Sequence, residues 1–343
     1  MNRDQGRKSV RIDSQAKQSN RPTLKTISKI SGFAVQTVSR ALGDAPDISA
    51  KTKKRVREIA DDIGYVPNRA GVRLRTGRTY VISLVLSTED DVLSLTSRLI
   101  SSIAEGLRGT QYHLVVTPNF PEDDPVKAIR YIVQNRTADA VIMNRIQPED
   151  PRVKYLMEEK FPFSTHGRSI WADDHAYFDY DNRAFGKIAV EELAKHGRSN
   201  ILLLAPPLDQ SYAVEILEGV RESAAKNNAE IIVAEGIDSD SHRRLIREYV
   251  SKRVSENTSI DGLISASPNA TMAAIAGIED AGLTLGTTFD VFSKETVPIL
   301  ELFRSGILAA HEDVAIAGKF LAKAAVHAAQ NPNEPPMQHL DHP

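Results

Sequence analysis

Between residues 80 and 292 the chain alternates short apolar runs with longer segments whose apolar positions recur every three or four residues. The runs are YVISLVL (80–86), YHLVVT (112–117), ADAVIM (138–143), FPFST (161–165), YFDY (177–180), NILLLA (200–205), EIIVA (230–234), DGLIS (261–265) and TFDVF (288–292). Most are followed by ten or more residues of amphipathic pattern, which predicts buried parallel strands joined by crossover helices. Nine strands over some 250 residues suit two doubly wound parallel α/β subdomains better than one sheet, with the chain crossing between them near 175–185 and again near 285–310. Ahead of this body the period changes. Leu24, Ile27 and Ile30 are spaced for one helix, Val38 and Leu42 for a second over about 35–42, and Val56, Ile59, Ala60 and Ile63 for a third. Thr23 and Ser49 stand where N-caps belong, and Gly32 and Gly64 where helices end. The expectation is a small all-α head on an α/β body.

Charge changes the picture. Residues 1–79 carry 18 Lys and Arg against 7 Asp and Glu, and the rest of the chain carries 25 against 38, so a net charge of −2 conceals +11 beside −13. A basic segment is the electrostatic footprint of phosphate-backbone binding, although a solvated charged face gives the same count. The second helix leaves Gln36, Thr37, Ser39 and Arg40 on its outer faces. Two helices joined by a tight turn, the second presenting polar side chains, is the helix-turn-helix arrangement, in which Arg suits guanine O6/N7, Gln suits adenine, and hydroxyls suit phosphates or base edges. No apolar run approaches a membrane span, and the polar first twenty residues lack the apolar core of a secretory signal, so a cytoplasmic protein with a disordered arm over 1–22 is expected. The absence of Cys excludes disulfides and thiolate chemistry. The nine His show no helical metal-ligand spacing, and neither GxSxG nor GxGxxG occurs, so no metal, no cofactor and no enzyme activity are expected.

The segments TLKTISKISG, VQTVSRAL, ISAKTKKRVREIADDIGYVPN and LRTGRT resemble, in order and spacing, those of the LacI/GalR transcriptional regulators. The resemblance implies a helix-turn-helix domain over 23–66, with Thr23 at its first cap. Val35, Gln36 and Arg40 fall at base-reading positions, and Thr37 and Ser39 at backbone-contacting ones. Ala34 replaces a capping Ser. Residues 67–79 match a hinge segment that includes Asn68, in which Leu74 wedges into the minor groove between Arg73 and Arg75. Weaker blocks, DYDNRAFGKIAVEEL, HGRSNILLLAPP and AGLTLG, imply that 80–330 is a two-lobed effector-binding and dimerisation domain like a periplasmic sugar-binding protein; 331–343 reads as a frayed tail.

Ligands of open α/β sheets bind beyond the carboxyl ends of the strands. Those ends offer Glu89–Asp91, Asn144–Arg145, His166–Arg168, Gln210–Tyr212, Ser267 and Lys294–Glu295, a set suited to a polyhydroxylated ligand. Arg168, Gln210 and Tyr212 match effector-binding positions of the family, with a lobe-bridging ion pair the alternative for Arg168 and a hydrogen-bonded structural role the alternative for His166. Gly167, Ser267 and Glu295 depart from its usual residues, so the effector's identity does not transfer. The resulting expectation is a transcriptional regulator, a repressor in the first instance, working as a homodimer on a pseudopalindromic double-stranded operator and controlled by a sugar, polyol or sugar acid. A stand-alone sugar-binding module and a sugar-converting enzyme are the rivals, and both leave the basic head unexplained.

Overall fold

The computed structural model describes residues 21–66, 69–87, 95–296 and 298–343. The expected arm over 1–22 therefore lies almost wholly outside the described residues. The chain divides into two compact units, a head ending at Gly77 and a body beginning at Arg78.

In the head, α1 (Leu24–Ser31) starts at Thr23, whose side chain and that of Thr26 cap each other's backbone N–H reciprocally, and it stops at Gly32, whose φ of 75° a side chain would resist. The turn into α2 (Val35–Leu42) is tied by Ser28 Oγ donating to the Phe33 carbonyl at 2.7 Å. Ala34 supplies no side-chain cap to α2. Ser49 caps α3 (Ala50–Asp62) by accepting from the Thr52 N–H. Ile27, Val38, Ala41, Val56, Ile59 and Ala60 make the core. Ile30, expected to face that core, is 51% exposed, and Ala41 is buried on α2 beside the expected Val38 and the partly buried Leu42. Six residues along a helix rotate by 240° relative to the start, so Ile30 cannot share the face of Leu24, whereas Ala41 lies three residues past Val38. Helix α4 (Arg69–Thr76) ends the unit.

The body holds two parallel sheets. The first runs β11-β5-β4-β3-β1-β2, from β1 (Val81–Ser87), β2 (His113–Asn119), β3 (Ala140–Met143), β4 (Phe163–His166), β5 (Ala176–Tyr180) and β11 (Gln338–Asp341). The second runs β10-β9-β8-β6-β7, from β6 (Asn200–Leu204), β7 (Glu230–Val233), β8 (Gly262–Ser265), β9 (Asp290–Glu295) and β10 (Leu308–His311). Each has its topological switch beside its first strand. Helices α5 (Leu95–Gly106), α6 (Lys127–Asn135) and α7 (Pro151–Glu158) follow strands of the first lobe; α9 (Ser211–Asn227), α10 (Arg243–Glu256), α11 (Pro268–Asp280) and the short α12 (Leu300–Phe303) follow strands of the second. The lobes repeat a device. Asp139 accepts the Thr79 and Tyr80 amides where β1 begins, and Asp261 accepts the Ser199 and Asn200 amides where β6 begins.

The chain changes lobe at Tyr180–Asn182, where α8 (Asn182–Lys195) leaves to pack on the second sheet through Phe185, Ala189 and Leu193. It returns at Glu312–Asp313, where α13 (Val314–Gln330) packs on the first through Ala317 and Leu321. The return falls just beyond the expected 285–310 because β10, four residues at a sheet edge, still pairs with β9. The tail is likewise not frayed. Residues 338–341 pair with β5 from Tyr177 to Tyr180, and His339 stacks on Phe178 at 5.1 Å between ring centroids.

Candidate functional site

The carboxyl ends of both sheets face each other across a cavity of about 160 Å³. The first lobe contributes Asn144 and Arg145 after β3, His166 at the end of β4, and Asp179 and Tyr180 from β5. From the second come Ser211 and Tyr212 opening α9, Ser239 and Asp240 after β7, Ser267 and Asn269 at the start of α11, and Lys294 from β9. The connections between lobes supply Asn182 and Glu312. A wider recess of about 1010 Å³, reaching Gln147, Asp209, Gln210 and His242, adjoins it and shares Arg145, Ser239, Asp240 and Asn269 with it.

Charges in the cavity and in the seam beside it are arranged in partnered sets that join the lobes. Glu312 is buried on the return connection, with Lys294 Nζ at 2.5 Å from one carboxylate oxygen and His166 Nε2 at 3.0 Å from the other. Burial by itself would raise the Glu312 pKa; the Lys294 charge and the His166 contact outweigh it and hold the carboxyl far below the usual carboxylate range. Lys294 also donates to Asn182 Oδ1 at 2.9 Å and lies 4.5 Å from the centre of the Tyr180 ring. Arg145, at a φ of 55°, reaches across to Asp240 at 2.9 Å. Arg168 Nε donates to Asp179 and its NH2 group to Glu215 on α9, both at 2.7 Å. One guanidinium thus serves two acids. Burial raises Asp179, and burial together with the Asp179 charge pushes Glu215 up to about 7, more than Arg168 can offset. Two buried hydroxyls on the cavity wall, Tyr180 Oη and Ser211 Oγ, have no hydrogen-bond partner among the described residues.

Asn144, His166, Tyr212, Ser267 and Lys294 of the expected effector set line this cavity. Gln210 opens into the outer recess, and its amide donates to Asp209 at 3.1 Å. Two residues are placed otherwise. Arg168 does not line the cavity, because its two ion pairs draw it into the seam between lobes. Glu295 points away to accept the Leu300 amide at 3.3 Å, since successive side chains of β9 alternate and Lys294 takes the cavity side. Glu89 lies outside the described residues. Sequence reasoning missed Asp179, Tyr180, Asn182, Ser239, Asp240 and Glu312. Asp179 and Tyr180 sat in YFDY, one of the recognised strands, whose carboxyl end could have been read as the others were.

On the head, α2 exposes Val35, Gln36 and Arg40, with Thr37 and Ser39 half-buried beside them. Thr23 is exposed at the cap of α1. Helix α4 turns Leu74 outward, 89% exposed, with Arg73 exposed next to it. The side chain of Arg75 and the whole of Asn68 lie outside the described residues.

Residues 23–68 match the bacterial regulatory proteins of the lacI family, and residues 108–331 match the periplasmic binding protein domain. The HTH-type transcriptional regulator AglR of Rhizobium meliloti (strain 1021) is 29% identical over 326 residues, 92% of this chain and 90% of its own. Among solved structures, the lac repressor dimer bound to operator and the anti-inducer ONPF superposes with a TM-score of 0.78 at 19% identity, covering 94% of this chain and 96% of that one. The CelR–cellobiose complex superposes at 0.67 and 21% identity, over 94% and 97%. Head and body together therefore define a one-chain combination of DNA-binding module and ligand-binding receptor. The chain joins a helix-turn-helix domain of the lacI family of bacterial regulatory proteins to a periplasmic binding protein domain, and it is a DNA-binding transcriptional regulator.

Proposed function

We propose that the protein is a cytoplasmic repressor that holds a pseudopalindromic operator as a homodimer and changes its operator affinity when an uncharged, hydroxyl-rich sugar or polyol binds between its lobes. The observation that carries the effector reading is the cavity, whose wall presents two unpartnered buried hydroxyls beside amides and carboxylates. Lone hydroxyls of that kind are stabilised by the oxygens of a polyol. Lys294 and Arg145, the cations facing the cavity, each lie against a carboxylate, which favours a neutral ligand over a sugar acid. In the head, Val35, Gln36 and Arg40 would read bases, Thr23, Thr37, Ser39, Asn68, Arg73 and Arg75 would hold the backbone, and Leu74 would wedge the minor groove. Asn144, His166, Tyr212, Ser267 and Lys294 would bind the effector with Asp179 and Asp240. Ligand-dependent closure or rotation of the lobes then acts on DNA by linkage, and coupling of ~1–3 kcal/mol changes operator affinity ~5–150-fold.

The test is a thermal-shift screen of the full chain against neutral saccharides, polyols and sugar acids. A ligand at 100 times its dissociation constant adds ~2.7 kcal/mol of stability. A hit should also alter capture of DNA from a randomised duplex library. Stabilisation by sugar acids alone would overturn the charge argument, and stabilisation by none would overturn the effector reading.

A further inference from the structure

Arg40 is held from within its own unit. Its guanidinium NH2 lies 2.5 Å from the carboxylate of Asp47, and both side chains are about half exposed. Asp47 belongs to the connection GDAPD (43–47) between α2 and α3, and that connection is pinned on both sides. Upstream, Asp44 accepts from Arg57 at 2.7 Å and lies 3.1 Å from Lys53 Nζ, while the Ala45 amide donates back to the Arg40 carbonyl. Downstream, Ile48 packs against the head core and its amide closes a turn on the Ala45 carbonyl. The Asp47 carboxylate is therefore presented to Arg40 by a braced turn rather than by a loose loop. The Arg40 contact also lowers the Asp47 pKa below the usual carboxylate range, so this acid is charged at neutral pH.

We propose that Asp47 is a positioning residue for sequence reading: it holds the Arg40 guanidinium for a base edge and, as a fixed negative charge beside the DNA-facing helix, penalises binding that lacks that base. Arg has five donors in a planar fork, and a contact to Asp47 through one NH2 hydrogen leaves the other, which can pair with Nε–H or with NH1 to meet guanine O6 and N7. Holding the fork lowers the rotamer freedom lost on docking. A carboxylate near the phosphates also opposes the counterion-release attraction that drives sequence-independent binding. The first effect favours the matched base and the second weakens binding to mixed sequence, so together they raise the ratio of specific to non-specific binding. The inference rests on the reading that Arg40 contacts bases.

The experiment selects a randomised double-stranded DNA library on the full-length protein and on its Asp47→Ala, Asp47→Asn, Arg40→Ala and Arg40→Ala/Asp47→Ala variants, and measures affinity for a mixed-sequence duplex across a salt series. Discrimination at one base position per half-site is expected to fall about two- to five-fold in both Asp47 variants, the range of an exposed ion pair. Mixed-sequence affinity should rise, and its dependence on log salt should steepen by up to about one. Asp47→Ala should change no base preference once Arg40 is gone. If Arg40→Ala removes a base preference while both Asp47 variants keep it, the positioning role is wrong although the base-reading role stands. If Arg40→Ala keeps every preference, both fall.

Discussion

The Tyr180 ring is fully buried, and desolvation pushes its phenol above the ordinary tyrosine range, so the hydroxyl stays protonated. A buried donor left without a partner costs ~1–3 kcal/mol. Tyr180→Phe removes that cost in the free protein and removes a ligand contact in the complex. The ligand-free melting temperature should hold or rise while the shift produced by an effector shrinks; a clear fall in ligand-free melting temperature would show that the hydroxyl has a stabilising partner. Legibility at this scale followed chain distance. Lys294 and His166 were readable as strand-end polar residues, but the acid that joins them, Glu312, is local to neither in sequence. Arg168 was recognised, yet only packing set Asp179 and Glu215 on either side of it and drew it into the seam.

Helices α8 and α9 pack closely enough that a Cβ at Gly219 would lie 2.0 Å from the Arg183 carbonyl oxygen, with no flexible side chain to yield. Gly219→Ala should destabilise the body by ~1–3 kcal/mol or more, read from denaturant unfolding of the full chain. A cost near zero would mean that these helices can separate freely. Helix α4 makes the opposite case, because Leu74 is too exposed to stabilise the unit. Leu74→Ala should leave stability within ~0.5 kcal/mol while weakening binding to selected DNA far more than to mixed-sequence DNA. Equal losses on both would dispose of the minor-groove wedge. The strands that the pattern revealed are the apolar ones. Strands β10 and β11 escaped because LAAH and QHLD are short edge strands, too polar or too brief to carry a period-two signal.

Across the whole body the lobes are joined by ion pairs with opposite responses to pH. Glu312 titrates below its unfolded value, so its contribution is present above about pH 4.5 and is lost as pH falls. Glu215, raised from 4.5 to about 7, binds its proton more tightly in the folded state, so stability declines as pH rises through that interval and levels off above it. From about pH 5 to pH 8 the melting temperature of the wild type should therefore fall relative to that of Glu215→Gln. An unchanged slope in the variant would place the proton elsewhere.

The alternation of apolar runs and amphipathic segments was enough to establish two parallel α/β lobes behind a three-helix head, because burying each run on both faces leaves few other arrangements. The motifs of the head likewise carried the family, since capping residues, core spacing and the polar face of α2 are all local. Only the tertiary structure decided which polar groups share the cavity, which cations are already partnered, and that residues 338–341 complete the first sheet. Those outcomes depend on contacts between segments far apart in the chain, where no periodicity records which charge will meet which.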